Sequence, residues 1–486
     1  MKSILLGNGI NIQFGGKAYS NYFIIQRIRC RARLGSYRKL FKNTLTDSNI
    51  IDILDSFVIV ANGIRSGDYD KVVYDNVDLS DKADTIEAIN DFKKRYKKEF
   101  TAPHEIMLED WYLILHIYFL KNNDIENGES LSAQGFERLM LDGIYNDGKI
   151  QNLNSKIPKK VKKYLKNYDN IFTLNYDDNI ERLTGKKVYH LHGDFNVLAN
   201  SENPENVEGY LRMQKGERVV EKGMEHCFCN ALFSYSGKRK QAVADDCHKR
   251  IIEANEYNFK YNNDVEFQRA LSDLKKQNYP CYEKIMTKIQ HPELNMATEY
   301  YFYKFAEIKD ELHIIGLSPN NDDHIFSLIK NNSSLQKVIF YYFLETEKKY
   351  IEEHFTERIF SCESVQDLWK TLGCGRPKYN CKYERSIPGG DDLDFFINAF
   401  NDLSRDYPIT KEDILKEISE TPQFEIERLY QLVEEKIESR KPEHPHTKEE
   451  VWKSWDAINY LALQEGIYPP TLYMISVMGR SKKIKS

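Results

Sequence analysis

Asn170-Ile-Phe-Thr-Leu-Asn-Tyr-Asp-Asp-Asn179, followed shortly by Val188-Tyr-His-Leu-His-Gly-Asp194, is the stretch that decides the fold. Each part begins as an apolar β-type run and ends in polar side chains. An α/β sheet delivers reactive groups to the carboxyl ends of its strands in this way, and a nucleotide sits there. Asn175 and Asp177 stand at the end of the first run. His192 ends the second, and Gly193 behind it lets a ligand approach the backbone closely. Taken singly, each has a plainer reading, because Asn and Asp bond their own backbone in turns. A third element, at the amino terminus, fits the same site.

That element is a short strand over 3–6 running into Gly7-Asn-Gly-Ile-Asn-Ile-Gln-Phe-Gly-Gly16. A first strand ending in glycines is where a doubly wound sheet admits a pyrophosphate, against backbone N–H groups and a helix amino terminus. Gly7, Asn8, Gly9 and Asn11 are the candidate contacts. Ile12 replaces the third glycine of the dinucleotide fingerprint, so a tight turn is the competing reading. The basic stretch over 22–42 alternates Arg27, Arg29, Arg31 and Arg33 with Ile28, Cys30 and Ala32 and reads most simply as a solvated element. Arg27 is near enough in sequence to the glycine loop to reach a phosphate.

Helices are predicted over 50–61, 81–100, 103–120 and 155–165, and the third is apolar nearly all round, so it should be buried. Residues 196–223 are polar and turn-rich and are expected to form a loop or lid-like excursion. Cys227, Cys229, Cys247 and His248 offer soft ligands, but without paired Cys-x-x-Cys knuckles no metal is expected. After a helix predicted over 296–308 comes the strand Glu311-Leu-His-Ile-Ile-Gly-Leu-Ser318, leading to Asn320-Asn-Asp-Asp323. Asp322 and Asp323 read either as caps of the next helix or as acceptors of ribose hydroxyls. A strand over 336–343 and a helix over 345–355 continue the βαβ rhythm. Beyond 388, helices are predicted over 393–403, 410–418, 422–437 and 447–464.

The expected architecture is α/β, a Rossmann-like doubly wound parallel sheet with large helical insertions and a helical C-terminal unit. Residues 1–380 would be the nucleotide domain, with a helical insertion over about 30–166 and an excursion over about 196–295. Residues 388–486 would serve assembly or regulation. The 486 residues carry 69 basic and 74 acidic side chains, a formal charge of −5, which argues against direct nucleic-acid binding. No apolar run reaches the ~20 residues of a membrane span. The amino terminus lacks a signal peptide's apolar run and the cysteines show no disulfide spacing, so a cytoplasmic protein with reduced thiols is expected.

Together these motifs resemble the sirtuin-like family in its bacterial defence branch, including the NAD-cleaving Thoeris effector and, more loosely, the AbiH abortive-infection proteins. Gly7-Asn-Gly-Ile is similar to the family's Gly-Ala-Gly-Ile, Thr173-Leu-Asn-Tyr-Asp177 to Thr-Gln-Asn-Ile-Asp, and His192-Gly193 to its catalytic His-Gly. Gly316-Leu-Ser318 through Asp323 looks like its late Gly-x-Ser segment for the adenosine ribose. The resemblance spans 1 to about 375. It implies an NAD+ hydrolase that cleaves the nicotinamide–ribose bond, with catalytic Asn175, His192 and Asp177, NAD as substrate and no metal. Gly193, Gly316, Ser318 and Asp323 would join the glycine loop in binding. The four-cysteine ribbon of the protein deacylases is missing, which points away from deacylation; that activity and a non-catalytic NAD or ADP-ribose sensor are the alternatives. Cofactor depletion against phage, a homo-oligomer and a gating partner or phage-derived trigger are the further implications.

Overall fold

A computed structural model describes residues 1–76, 79–121, 129–195, 221–319, 322–356, 359–374, 456–457 and 459–466. The chain divides into two units, Met1–Phe14 with Ser56–Gly375, and Gly15–Asp55 with Arg376–Ser486. This division differs from the contiguous split expected near 380, because a segment close to the amino terminus belongs with the carboxy-terminal one.

Six strands build the first unit: β1 (Lys2–Leu6), β2 (Asn170–Thr173), β3 (Val188–His190), β4 (Asp310–Ile315), β5 (Leu335–Tyr342) and β6 (Phe360–Ser364). All neighbours are parallel, in the order β3-β2-β1-β4-β5-β6. Parallel strands need long crossovers, which put helices on both faces and bury the central strands on both sides. The core records this alternation. Leu5, Phe172, Leu312, Ile314, Val338 and Phe340 pack with Phe305, Ile325, Phe326 and Ile351 on one face. Ile4, Leu6, Ile171, Ile315, Ile339 and Tyr341 pack with Ile10, Val161, Leu165, Ile180 and Trp369 on the other. The sheet is doubly wound, as expected.

Between β1 and β2 lie the helices Leu79–Arg95, Trp111–Lys121 and Glu129–Tyr145. Trp111, Leu113, Ile114, Leu115, Ile117, Phe119 and Leu120 are all buried, in keeping with the apolar sequence of that helix. After β3 come Gly237–Asn263, Val265–Gln277 and Tyr279–Gln290. The helix predicted over 296–308 is reduced to Phe302–Ala306, since Tyr301 adopts a left-handed conformation, φ 54°, that cannot extend a helix.

In the second unit the solvated reading of the basic stretch is overturned. The helix Asn21–Arg33 buries residues from Phe23 to Cys30 without a break, including Arg27 and Arg29. Arginines are tolerated there because each has a partner: Arg29 with Asp55 at 2.6 Å, Arg33 with Asp456 at 2.9 Å, and Arg31 donating to the Tyr460 hydroxyl at 3.1 Å. Residues 459–464 are helical; the helices predicted over 393–437 lie outside the described residues. Among the described residues no helix is long and apolar enough to cross a membrane.

Candidate functional site

Register determines what meets at the carboxyl edge of the sheet. Thr173 pairs with Leu6 on one side and His190 on the other, and Leu6 pairs with Ile315. The residues just beyond therefore emerge at one level: Gly7 after β1, Asn175 and Asp177 after β2, His192 after β3, Gly316 after β4. Strand order reverses between β1 and β4, and in open parallel sheets the ligand crevice opens at such a reversal.

Two glycines expected to cradle a pyrophosphate have a different task. Gly7 N–H donates to the Ile315 carbonyl at 2.9 Å and Gly9 N–H to the Gly316 carbonyl at 3.0 Å, so neither donor faces a ligand. A Cβ on Gly7 would stand 2.5 Å from the Gly316 oxygen, and one on Gly9 2.5 Å from the Gly316 Cα. Gly316 itself has φ +76°, with Gly9 2.9 Å from where its Cβ would be. These glycines close the seam between the β1 and β4 loops by backbone contact. Asn8 between them is exposed.

Around Asn175 the polar groups interlock. Its Nδ2 donates to the Gly7 carbonyl at 3.2 Å, and among the described residues its Oδ1 has no hydrogen-bond donor. Asp177, buried, accepts from Asn11 Nδ2 on one oxygen at 2.7 Å and from Asn179 Nδ2 on the other at 2.5 Å. Burial raises its carboxyl above the ordinary value, and the bonds from Asn11 and Asn179 partly offset that. Asn11 and Asp177 thus lock the β1 and β2 loops to each other rather than presenting free polar ends. His190, not singled out in the sequence, lies directly beneath: Nδ1 is 2.9 Å from the Asn175 carbonyl and Nε2 2.5 Å from Glu181 Oε1. Two acceptors require two N–H donors, so the ring is an imidazolium. Its burial opposes charge, but the Glu181 hydrogen bond prevails and pushes the pKa up to about 9.

His192 is only 4% exposed, and its Nε2 lies 3.1 Å from Nε2 of His324. Burial and the nearby Lys240 ammonium hold His192 well below the usual imidazole value. The same two causes bring His324 down to about 3. A neutral pair at this spacing shares one N–H, one ring donating and the other accepting. Lys240 stands in the first turn of Gly237–Asn263 and is half-buried, as is Asp322. Burial lifts Asp322 to about 7, against the pull of Lys240. Its side chain makes no cap hydrogen bond to the helix Asp323–Asn331. Ser318 is half-buried beyond β4; Asp323 is largely exposed, and partial desolvation of its carboxyl together with the nearby Asp91 raises its pKa. Gly193 has φ +83°, and a Cβ there would strike the Asn230 carbonyl at 2.3 Å, so it fixes the loop as well as sparing space.

Arg27 belongs to the second unit, is fully buried, and its Nη1 donates to the carbonyls of Ala18 and Leu463. It pins that unit together; the phosphate contact expected of it has no support in this placement. Of the four soft ligands, His248 bonds to Glu299 at 3.0 Å and Cys229 is pushed up to about 12 by burial. Among the described residues they do not gather into one group. The sequence signal for His324 was its position after Asp322-Asp323 behind a strand-end Gly-x-Ser; Lys240 comes from a distant helix and left none. No family model, curated protein or solved structure matches this chain.

Proposed function

We propose that this protein is an NAD+ hydrolase that cleaves the nicotinamide–ribose bond to give nicotinamide and ADP-ribose, and that it acts as a cofactor-depleting effector of anti-phage defence. The observation that carries the reading is the emergence of Asn175 and His192 at one level from adjacent strands, beside the β1/β4 reversal. Nicotinamide leaves as a neutral molecule and needs no acid. What the reaction needs is a positioned water and a base that is neutral at working pH. In this mechanism the ribose C1′–N bond breaks with its electron pair passing to nicotinamide. Water oxygen bonds C1′, and the water proton passes to His192, with His324 as its hydrogen-bonded partner. Asn175 Oδ1 orients the water or a ribose hydroxyl, and Asp177 holds Asn11 and the loop in place. Ser318 and Asp323 serve the adenosine ribose.

The test is nicotinamide release from NAD+ by the full-length protein with no peptide present. His192→Ala, folded by circular dichroism, should lower the rate ~10²–10⁴-fold. Release that persists at the parental rate removes His192 from the chemistry. Binding of NAD+ without release by the parent would make the protein a sensor, and release only with an acylated peptide a deacylase.

A further inference from the structure

One buried cluster lies outside this site. Asp142, His226 and Cys227 bring a carboxylate oxygen, an imidazole nitrogen and a thiol sulfur within 4.8 Å of one another, all three residues buried. Asp142 comes from the last turn of Glu129–Tyr145, and His226 and Cys227 are consecutive in the 3-10 turn Glu225–Phe228. The turn is clamped to one face of the helix. Arg138 lies 4.3 Å over the Phe228 ring, Asp142 Oδ1 is 2.8 Å from His226 Nε2, and Tyr145 stacks on His226 at 4.0 Å and 9°. Positions 138, 142 and 145 follow helical i, i+4, i+7 spacing. The imidazole plane and the carboxylate are therefore set before any ligand arrives.

We propose that Asp142, His226 and Cys227 form a binding site for a divalent transition-metal ion of the zinc class. A mixed nitrogen, oxygen and sulfur set suits zinc or its neighbours, whereas magnesium and calcium take oxygen ligands. Charge also favours it. The Asp142 side chain is 0% exposed, so an ion bound there should match its ligands in charge; a divalent ion, this carboxylate and a thiolate sum to zero. Binding converts the thiol to thiolate and releases its proton to solvent. Zinc bonds of ~2.0–2.3 Å at tetrahedral angles set donors about 3.3–3.7 Å apart, so the His226–Asp142 contact opens by roughly half an ångström. Three protein donors leave one tetrahedral position for a non-protein ligand. The site is independent of the NAD+ reading.

Cobalt(II) titration of the chelator-treated full-length protein tests it, because a thiolate–cobalt charge-transfer band reports sulfur ligation directly. One equivalent with that band is expected, displaced by zinc. Loss of a ligand should exceed the ~10–100-fold that loss of a ligand's hydrogen-bond partner costs, so Cys227→Ala should lose the band and bind at least ~100-fold more weakly. Cys229→Ala and Cys247→Ala should keep both. Absence of the band in the parental protein overturns the proposal, as does its survival in Cys227→Ala. Should Cys227→Ala fail to fold, Asp142→Asn replaces it, with weakened cobalt binding expected and parental affinity contradicting the site.

Discussion

His190 shows how a single protonation state can anchor a strand-end loop, because only the imidazolium donates to both the Asn175 carbonyl and Glu181. Its folded pKa of about 9 lies above the ordinary imidazole value of ~6.5, so the stabilisation is fully present below that ordinary value and is lost as pH rises through about 9. The shift corresponds to at most about 3 kcal/mol. Melting temperatures of the parent and His190→Gln should differ most near pH 6 and converge above pH 9; a gap constant across that window would mean the ring is neutral. His192 carries the opposite sign. Its pKa is depressed, so it stays neutral well below the point where a free imidazole would charge, and the base we propose would remain unprotonated there. The acid limb of nicotinamide release should fall clearly below pH 6.5, and a limb at or above it would exclude the buried His192 as the base. Both histidines sit two residues apart in one strand end, yet only His192 was legible in the sequence. Partners from outside the strand, Glu181 for one and Lys240 with His324 for the other, are what separate their roles.

At the scale of elements, five of the six strands were readable, because parallel pairing buries both faces and favours continuous apolar runs such as Ile4-Leu5-Leu6; β6, at the sheet edge and only partly buried, carries no such run and was not read. The glycine loop was read for the wrong partner. Gly-rich sequence after a first strand signals close approach, but local sequence does not say whether a phosphate or another backbone approaches. Here Gly316, three hundred residues away, fills that role at Gly7 and Gly9. The consequence is testable. Gly316→Ala places a side chain at φ +76° against Gly9, which should cost about 1–3 kcal/mol from the left-handed backbone alone, with the clash added. A drop in thermal stability without any change in NAD+ affinity, measured below the melting transition of both proteins, would fit a structural seam. Unchanged melting would show that the two loops separate easily.

For the whole molecule, the decisive surprise is which segments belong together. Arg27, Arg29, Arg31 and Arg33 looked solvated because they alternate with Ile28, Cys30 and Ala32 and the nearby sequence offers few acceptors for them, and some of the groups that satisfy them lie more than four hundred residues on. Cys30 Sγ contacts the Asp456 carbonyl at 3.0 Å, Arg33 pairs with Asp456, and Arg27 donates to Leu463 at 3.1 Å. A buried guanidinium that loses an acceptor bears the desolvation cost with less return, on the order of 1–3 kcal/mol per unsatisfied group or more when charged. Deleting residues after Gly375 therefore strips the helix Asn21–Arg33 of several partners at once. The truncated chain should lose amide-exchange and protease protection across 15–55, with aggregation as the visible result, rather than behave as a catalytic domain released from a removable regulator. Retained protection of 15–55 in a soluble truncation would show that this segment folds without its carboxy-terminal partners.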